Sequence, residues 1–138
     1  MGRCRSARAA CARRAGALGA ASRREALAPL IYATTPAPEA LRQTRRYGGA
    51  ASEAVEALFA ELVLQLRQLG FSRFIVAGGE ASGVVTQALG IRGFHIGPSI
   101  SPGVPGCARQ HRAISLALKS GNFGDEAFFA RAQTEFPV

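Results

Sequence analysis

The chain has 138 residues, 48% of them apolar, and a formal charge of +8. That length supports one domain around a single core, and no run approaches the roughly 18 apolar residues of a membrane-spanning helix. The charge sits in one place: residues 1–24 hold seven arginines and no acid, while the remainder holds ten basic and nine acidic residues, a balance of +1. The basicity belongs to a tail, so neither nucleic acid nor membrane is expected as a partner of the folded body.

Residues 1–27 read as a basic Arg/Ala-rich tail, expected to be disordered, and residues 28–138 as the folded domain. The tail's apolar runs are too short for a signal-peptide core, although its composition looks superficially like an organelle transit peptide. Three readings stand: a targeting segment, a solvated tail, or a stretch upstream of the natural domain. The Arg/Ala/Gly bias favours the last two together. Cys4, Cys11 and Cys107 are odd in number and form no CxxC pair. A disulfide framework or zinc site is therefore not expected, and a reducing compartment, the cytoplasm, fits. His95 and His111 have no partners at ligand spacing.

Taken in chain order, residues 28–33 (APLIYA) read as a strand, followed by a turn at Thr34-Thr35-Pro36 and a short helix over residues 39–46. A longer helix is expected over residues 52–69, with Val55, Leu58, Phe59, Leu62, Leu66 and Leu69 on one face and Gly70 closing it. Phe74 to Ala77 reads as a buried strand, Gly78 to Gly83 (GGEASG) as a glycine turn, and residues 84–89 as a helix. Phe94-His95-Ile96 reads as a strand. Residues 98–107, with three prolines, read as irregular. Residues 113–119 (AISLALK) read as a strand, with a helix as the alternative. A second glycine turn, SGNFG, precedes a terminal helix that starts at Asp125. This order predicts an α/β fold, a sheet with packed helices.

A strand, a glycine-rich turn and a helix start together form a device for holding an anion. The helix N-terminus offers unpaired N–H groups and a positive dipole end. Glycine lets the backbone approach the ligand. A plain βα bend is the competing reading. The turn is not a Walker A loop, since Val84-Val85 follow Gly83, and it is not GxGxxG either. Its force comes from two companion loops, IGPSISPGVP and LKSGNFG. In an open α/β sheet, loops at the carboxyl ends of neighbouring strands meet over one crevice. Convergence would wall a pocket with glycine backbone and place Ser82, Ser120 and Asn122 as polar donors.

These three segments (FIVAGGEASGVVTQALG, IGPSISPGVP and LALKSGNFGDEAFFARA) resemble the C-terminal nucleotide-binding domain of the four-carbon acid sugar kinases, which act on 3-oxo-tetronate, threonate or erythronate. The family patterns read GGETSG, DPGVPW and LKSGNFG, and the resemblance covers residues 28–133. It implies ATP binding and an accompanying Mg2+. It also implies nucleotide contacts at Gly78, Gly79, Glu80 and Ala81, at Gly121 in GNFG, and at a Ser/Thr in the first-strand turn, where Thr34 is the nearest match. Ser82, Gly83 and Asn122 complete the expected nucleotide-binding set.

The match departs from the family in Ala81 for Thr, Ser101 for Asp and Gly106 for Trp. The resemblance also implies an N-terminal, aspartate-rich substrate domain carrying the catalytic base. Nothing in residues 1–27 replaces it, because Asp125 is the chain's only aspartate. The expectation is a kinase's ATP-binding domain that is inactive alone: a fragment, a split half or a decayed copy. A non-catalytic remnant without ligand is the alternative.

Overall fold

The computed structural model of the chain describes residues 13, 14, 17, 27–33, 50–109, 114–121 and 123–134. The expected helix over residues 39–46, most of the basic tail, Thr34, His111 and Asn122 lie outside the described residues.

Helix α1 spans Ala50–Gln68. Its end is built by Gly70, which adopts φ 87°. Gly70 N–H donates to Arg67 O and Phe71 N–H to Leu66 O, both at 3.0 Å, the paired bonds of a Schellman closure. Strand β1 follows at Arg73–Ala77 and helix α2 at Gly79–Ala88. Gly90 closes α2 in the same manner, donating to Gln87 O at 2.9 Å while Ile91 N–H reaches Thr86 O. Strands β2 (Phe94–Ser101), β3 (Val104–Arg109) and β4 (Ser115–Lys119) come next, and helix α3 is Phe128–Thr134.

The four strands form one mixed sheet in the order β1-β4-β3-β2. β1 and β4 run parallel in register from Arg73↔Ser115 to Ala77↔Lys119. β3 is antiparallel to both of its neighbours. Alternation along the strands feeds two cores. Phe74, Val76, Leu116 and Leu118 pack with Val63 of α1, with Val85 of α2 and with Leu89, which caps the end of α2. Ile75 and Ala117 pack with Phe128 and Ala132 of α3. Helices thus cover both faces of the sheet, the α/β layering expected from the element order.

Several boundaries differ from expectation. Residues 27–33 form no strand. Leu30 and Tyr32 are 63% and 72% exposed, and Ala28 N–H donates to the side-chain Oε1 of Gln133 at 2.6 Å. An apolar run without a ladder partner stays irregular. On α1, Leu62 of the expected face is buried, and Val63 beside it is buried as well; Leu69 lies just past the helix end at Gln68 and is exposed. The stretch expected to be irregular, residues 98–107, is a bulged hairpin, with register shifts between Ile96 and Ser99 and between Ser99 and Ser101. Pro98 is tolerated because β2 is a sheet edge, and the bulges absorb the missing donors. Gly106 therefore lies in β3 opposite Ala117, in regular strand. Of the AISLALK segment, Ser115–Lys119 is strand β4, which removes the helical alternative.

Helix α3 is introduced by Asp125, whose carbonyl accepts from Phe128 N–H at 3.1 Å. Its carboxylate accepts from Arg131 Nη1 at 2.8 Å. That bond, with the guanidinium charge, holds the Asp125 carboxyl below the usual carboxylate range. A folded-state pKa below the unfolded one stabilises fully above the ordinary carboxylate pKa, and the contribution is lost as pH falls through the folded value. The wild-type protein is accordingly expected to exceed Asp125→Asn in stability at neutral pH, with the gap closing in strong acid. Urea melts of the two proteins at several pH values measure this, and a pH-independent gap would contradict it. The pair is exposed, so the effect is small.

Candidate functional site

β1 and β4 are parallel neighbours, so the segments leaving their carboxyl ends are adjacent. Gly78 N–H donates to Lys119 O at 2.7 Å, tying the first glycine loop to the last residue of β4. The β2–β3 turn lies at the same end, since β3 begins there and runs antiparallel to β4. The turn residue Gly103 has φ 77°. A Cβ placed on it would stand 2.7 Å from Cε1 of Phe123. The ring of Phe123, from the SGNFG loop, therefore lies directly over the hairpin turn, a fit only glycine permits. The three loops converge.

The GGEASG segment differs from the expected turn. Gly78 alone makes the bend, with φ 110° and ψ 136°, and Gly79 is already the first residue of α2. Glu80, Ala81, Ser82 and Gly83 belong to that helix's opening turns. One glycine in a conformation closed to other residues suffices to reverse the chain, and helical bonding then begins at once. Ser82 N–H donates to Gly78 O at 2.9 Å and Ser82 Oγ to the same oxygen at 2.7 Å. The hydroxyl proton of Ser82 is committed there, so the hydroxyl can act toward a ligand only as an acceptor. Thr86 Oγ1 likewise bonds back to Ser82 O and Gly83 O.

The first four N–H groups of a helix, counted from the N-cap, have no intrahelical acceptor. Gly78 has spent its own on Lys119, and no side chain caps the end. The N–H groups of Gly79, Glu80 and Ala81 remain. A Cβ on Gly79 would meet nothing within 4 Å, so the backbone is open to a ligand here. Gly83 lies a turn deeper, inside the hydrogen-bonded ladder. In the loop after β4, Gly121 is exposed and equally open at its Cβ position. Lys119 Nζ donates to Ser120 O and Gly121 O, each at 3.2 Å, which shapes that loop and leaves one ammonium proton uncommitted. Of the expected nucleotide set, Gly78, Gly79, Glu80, Ala81, Ser82 and Gly83 share the start of α2, and Gly121 lies two residues beyond Lys119, whose carbonyl accepts from Gly78 N–H.

α1 adds a second wall that the glycine loops alone do not announce. A recess of about 340 Å³ lies between the two helix starts. Ser52, Val55, Glu56 and Phe59 of α1 line one wall, and Gly78 to Ala81 line the other. The α1 residues fall at i, i+3, i+4 and i+7, one stripe of one helix face. Val55 and Phe59 read as core positions on periodicity. The available signal was that Ser52 and Glu56 share their stripe, a polar pair where a core face should be uniformly apolar. Among the described residues no group of three His, Cys, Asp or Glu side chains could hold a metal ion, and no helix is long and apolar enough to cross a membrane.

A family model described as the nucleotide-binding C-terminal domain matches residues 3–129. The chain belongs to this family. It is 60% identical over 117 residues to a 3-oxo-tetronate kinase of Pectobacterium atrosepticum, which covers 84% of this chain and 28% of that protein. It is 61% identical over 113 residues to a 3-oxo-tetronate kinase of Salmonella typhimurium, covering 81% and 27%. Its match is to the C-terminal domain of the four-carbon acid sugar kinases. The chain spans little more than a quarter of the length of these relatives. Among solved structures, a Salmonella typhimurium LT2 protein superposes with a TM-score of 0.87 at 55% identity, over 94% of this chain and 32% of the other. A Haemophilus influenzae protein superposes with a TM-score of 0.86 at 43% identity, over 91% and 31%.

Proposed function

We propose that this chain is the ATP-binding part of a kinase for four-carbon sugar acids, with the nucleotide's phosphates seated on the start of α2. The observation that carries the reading is the uncapped N-terminus of α2, with three N–H groups open beside Gly79. Backbone N–H groups and the helix dipole favour a phosphate there, and no side chain has to be displaced to admit it. Gly78 sets the loop's geometry, Gly79, Glu80 and Ala81 donate, and the Gly121 loop with the Lys119 ammonium faces the bound anion. Bound ATP supplies the γ-phosphoryl group. Among the described residues no group of three His, Cys, Asp or Glu side chains could hold a metal ion, so a Mg2+ accompanying the nucleotide would be held chiefly by the phosphates themselves.

The sugar acid needs a group to position and deprotonate its hydroxyl. Asp125 is bound to Arg131 beside α3, and a further polypeptide segment supplies the acceptor site in this reading. Calorimetric titration of the chain with Mg-ATP is the test. Binding at sub-millimolar nucleotide is expected, and its absence at millimolar nucleotide would overturn the assignment. Turnover of threonate, erythronate or 3-oxo-tetronates is expected to be undetectable with the chain alone, and measurable phosphorylation would contradict the need for a partner. Cys107 is a free, buried thiol that burial pushes above its ordinary pKa. It supports placing the protein in the reducing cytoplasm.

A further inference from the structure

The recess between α1 and α2 abuts the proposed phosphate seat but is not explained by it. Its volume, about 340 Å³, is at the small end of ligand pockets, which run to roughly 300–1,000 Å³. That is room for a nucleoside and too little for a whole triphosphate. The two walls differ in chemistry. Val55 and Phe59 give an apolar surface, while Ser52 and Glu56 give polar groups on the same helix face. Glu56 and Glu80 have no hydrogen-bond or ion-pair partner among the described residues.

We infer that this recess holds the nucleoside of the bound nucleotide, with Val55 and Phe59 against the base and Glu56 accepting hydrogen bonds from the ribose hydroxyls. The inference rests on the nucleotide-binding reading and extends it to residues of α1. Three physical arguments support it. The recess is continuous with the α2 N-terminus, because Gly78 to Ala81 form its second wall. A nucleoside whose 5′ phosphates sit on Gly79 to Ala81 must leave in some direction, and here an apolar floor lies directly beside them. A base is a flat, weakly polar body that gains from contact with an aromatic ring.

Ribose brings only hydroxyls, whose protons need acceptors, and a carboxylate accepts strongly while donating nothing. The acids also explain themselves: α1 and α2 both begin at this end of the sheet, and two positive helix ends offset two carboxylates.

The test compares three probes on the 138-residue chain by calorimetry: ADP, 2′,3′-dideoxy-ADP and inorganic tripolyphosphate. The wild type is expected to favour ADP over the dideoxy analogue by about tenfold, the worth of a hydrogen bond to a charged group. Glu56→Gln is expected to shrink that preference to about twofold while leaving tripolyphosphate binding equal or tighter, since a repelling charge is gone. Ser52→Tyr, which fills the mouth from an exposed position, is expected to weaken ADP by about tenfold or more while tripolyphosphate stays within about twofold.

Equal affinity for ADP and the dideoxy analogue in the wild type would overturn the ribose role of Glu56. Unchanged ADP affinity in Ser52→Tyr would place the nucleoside elsewhere, with the phosphate seat intact. Failure of both ADP and tripolyphosphate to bind would overturn the nucleotide reading itself. Circular dichroism of both variants checks the fold. If Ser52→Tyr does not fold, the ADP-to-dideoxy ratio in Glu56→Gln decides.

Discussion

Phe128→Ala is expected to destabilise the protein by about 3–5 kcal/mol, the range for deleting a fully buried aromatic side chain. Phe128 is 0% exposed and is the centre of the core on the α3 face, against Ile100, Val104, Ala117 and Ala132. Its edge meets the ring of Phe129 at 5.5 Å between centroids and 75° between planes. α3 has only seven residues, too few to hold together without this anchor. The small side chain of Ala117 on β4 is what lets so large a ring reach the sheet. The measurement is a urea melt: the midpoint should fall with little change in slope. Phe129, half-buried, should tolerate alanine far better. A loss below about 1 kcal/mol for Phe128→Ala would mean that the cavity collapses or that α3 is not part of the cooperative core.

Gly78→Ala is expected to combine a stability loss of about 1–3 kcal/mol with loss of nucleotide binding. The cause is conformational. A Cβ on Gly78 would meet only Ala81 Cβ at 3.8 Å, an ordinary contact, but φ of +110° is strained for any L side chain. The backbone must rotate, and that breaks the 2.7 Å bond to Lys119 O. The N–H groups of the next three residues rotate with it. Gly79→Ala separates the two effects. Position 79 has ordinary φ and open space around it, and alanine is the better helix former. That variant should keep or gain stability while crowding the phosphate seat. If Gly78→Ala bound Mg-ATP as the wild type does, the α2 N-terminus would not be the seat.

What was legible in the sequence follows from where the information lies. α1, β1 and β4 were readable because a helical stripe and short apolar runs are local patterns. Gly70 and Gly90 marked helix ends correctly because both sit at positive φ. The β2–β3 hairpin was hidden by Pro98, Pro102 and Pro105, which an edge strand and its bulges accommodate but which break the alternation that identifies strands. The start of α2 was hidden by composition: Gly79 and Gly83 look like loop, yet Gly78 alone turns the chain and packing on α1 recruits the rest into helix. Residues 27–33 failed in the opposite sense, since apolar content cannot supply a neighbouring strand. At the candidate site, the glycines stand out as a local motif, whereas Glu56 and Phe59 do not. Their place in the recess wall depends on α1 ending up beside α2, a fact of tertiary structure.

The bond between Gly78 and Lys119 joins residues 41 positions apart in the chain, whereas the β2–β3 turn closes over Pro102 and Gly103 alone. Loop closure is entropically dearer for the longer separation, and contacts of low sequence separation form first. The hairpin and β4 can therefore assemble before β1 docks, and docking of β1 is the step that brings the glycine loops together. The proposed phosphate seat is thus created by the closing event of folding. Any molecule bound there holds shut the seam along which the sheet would first open.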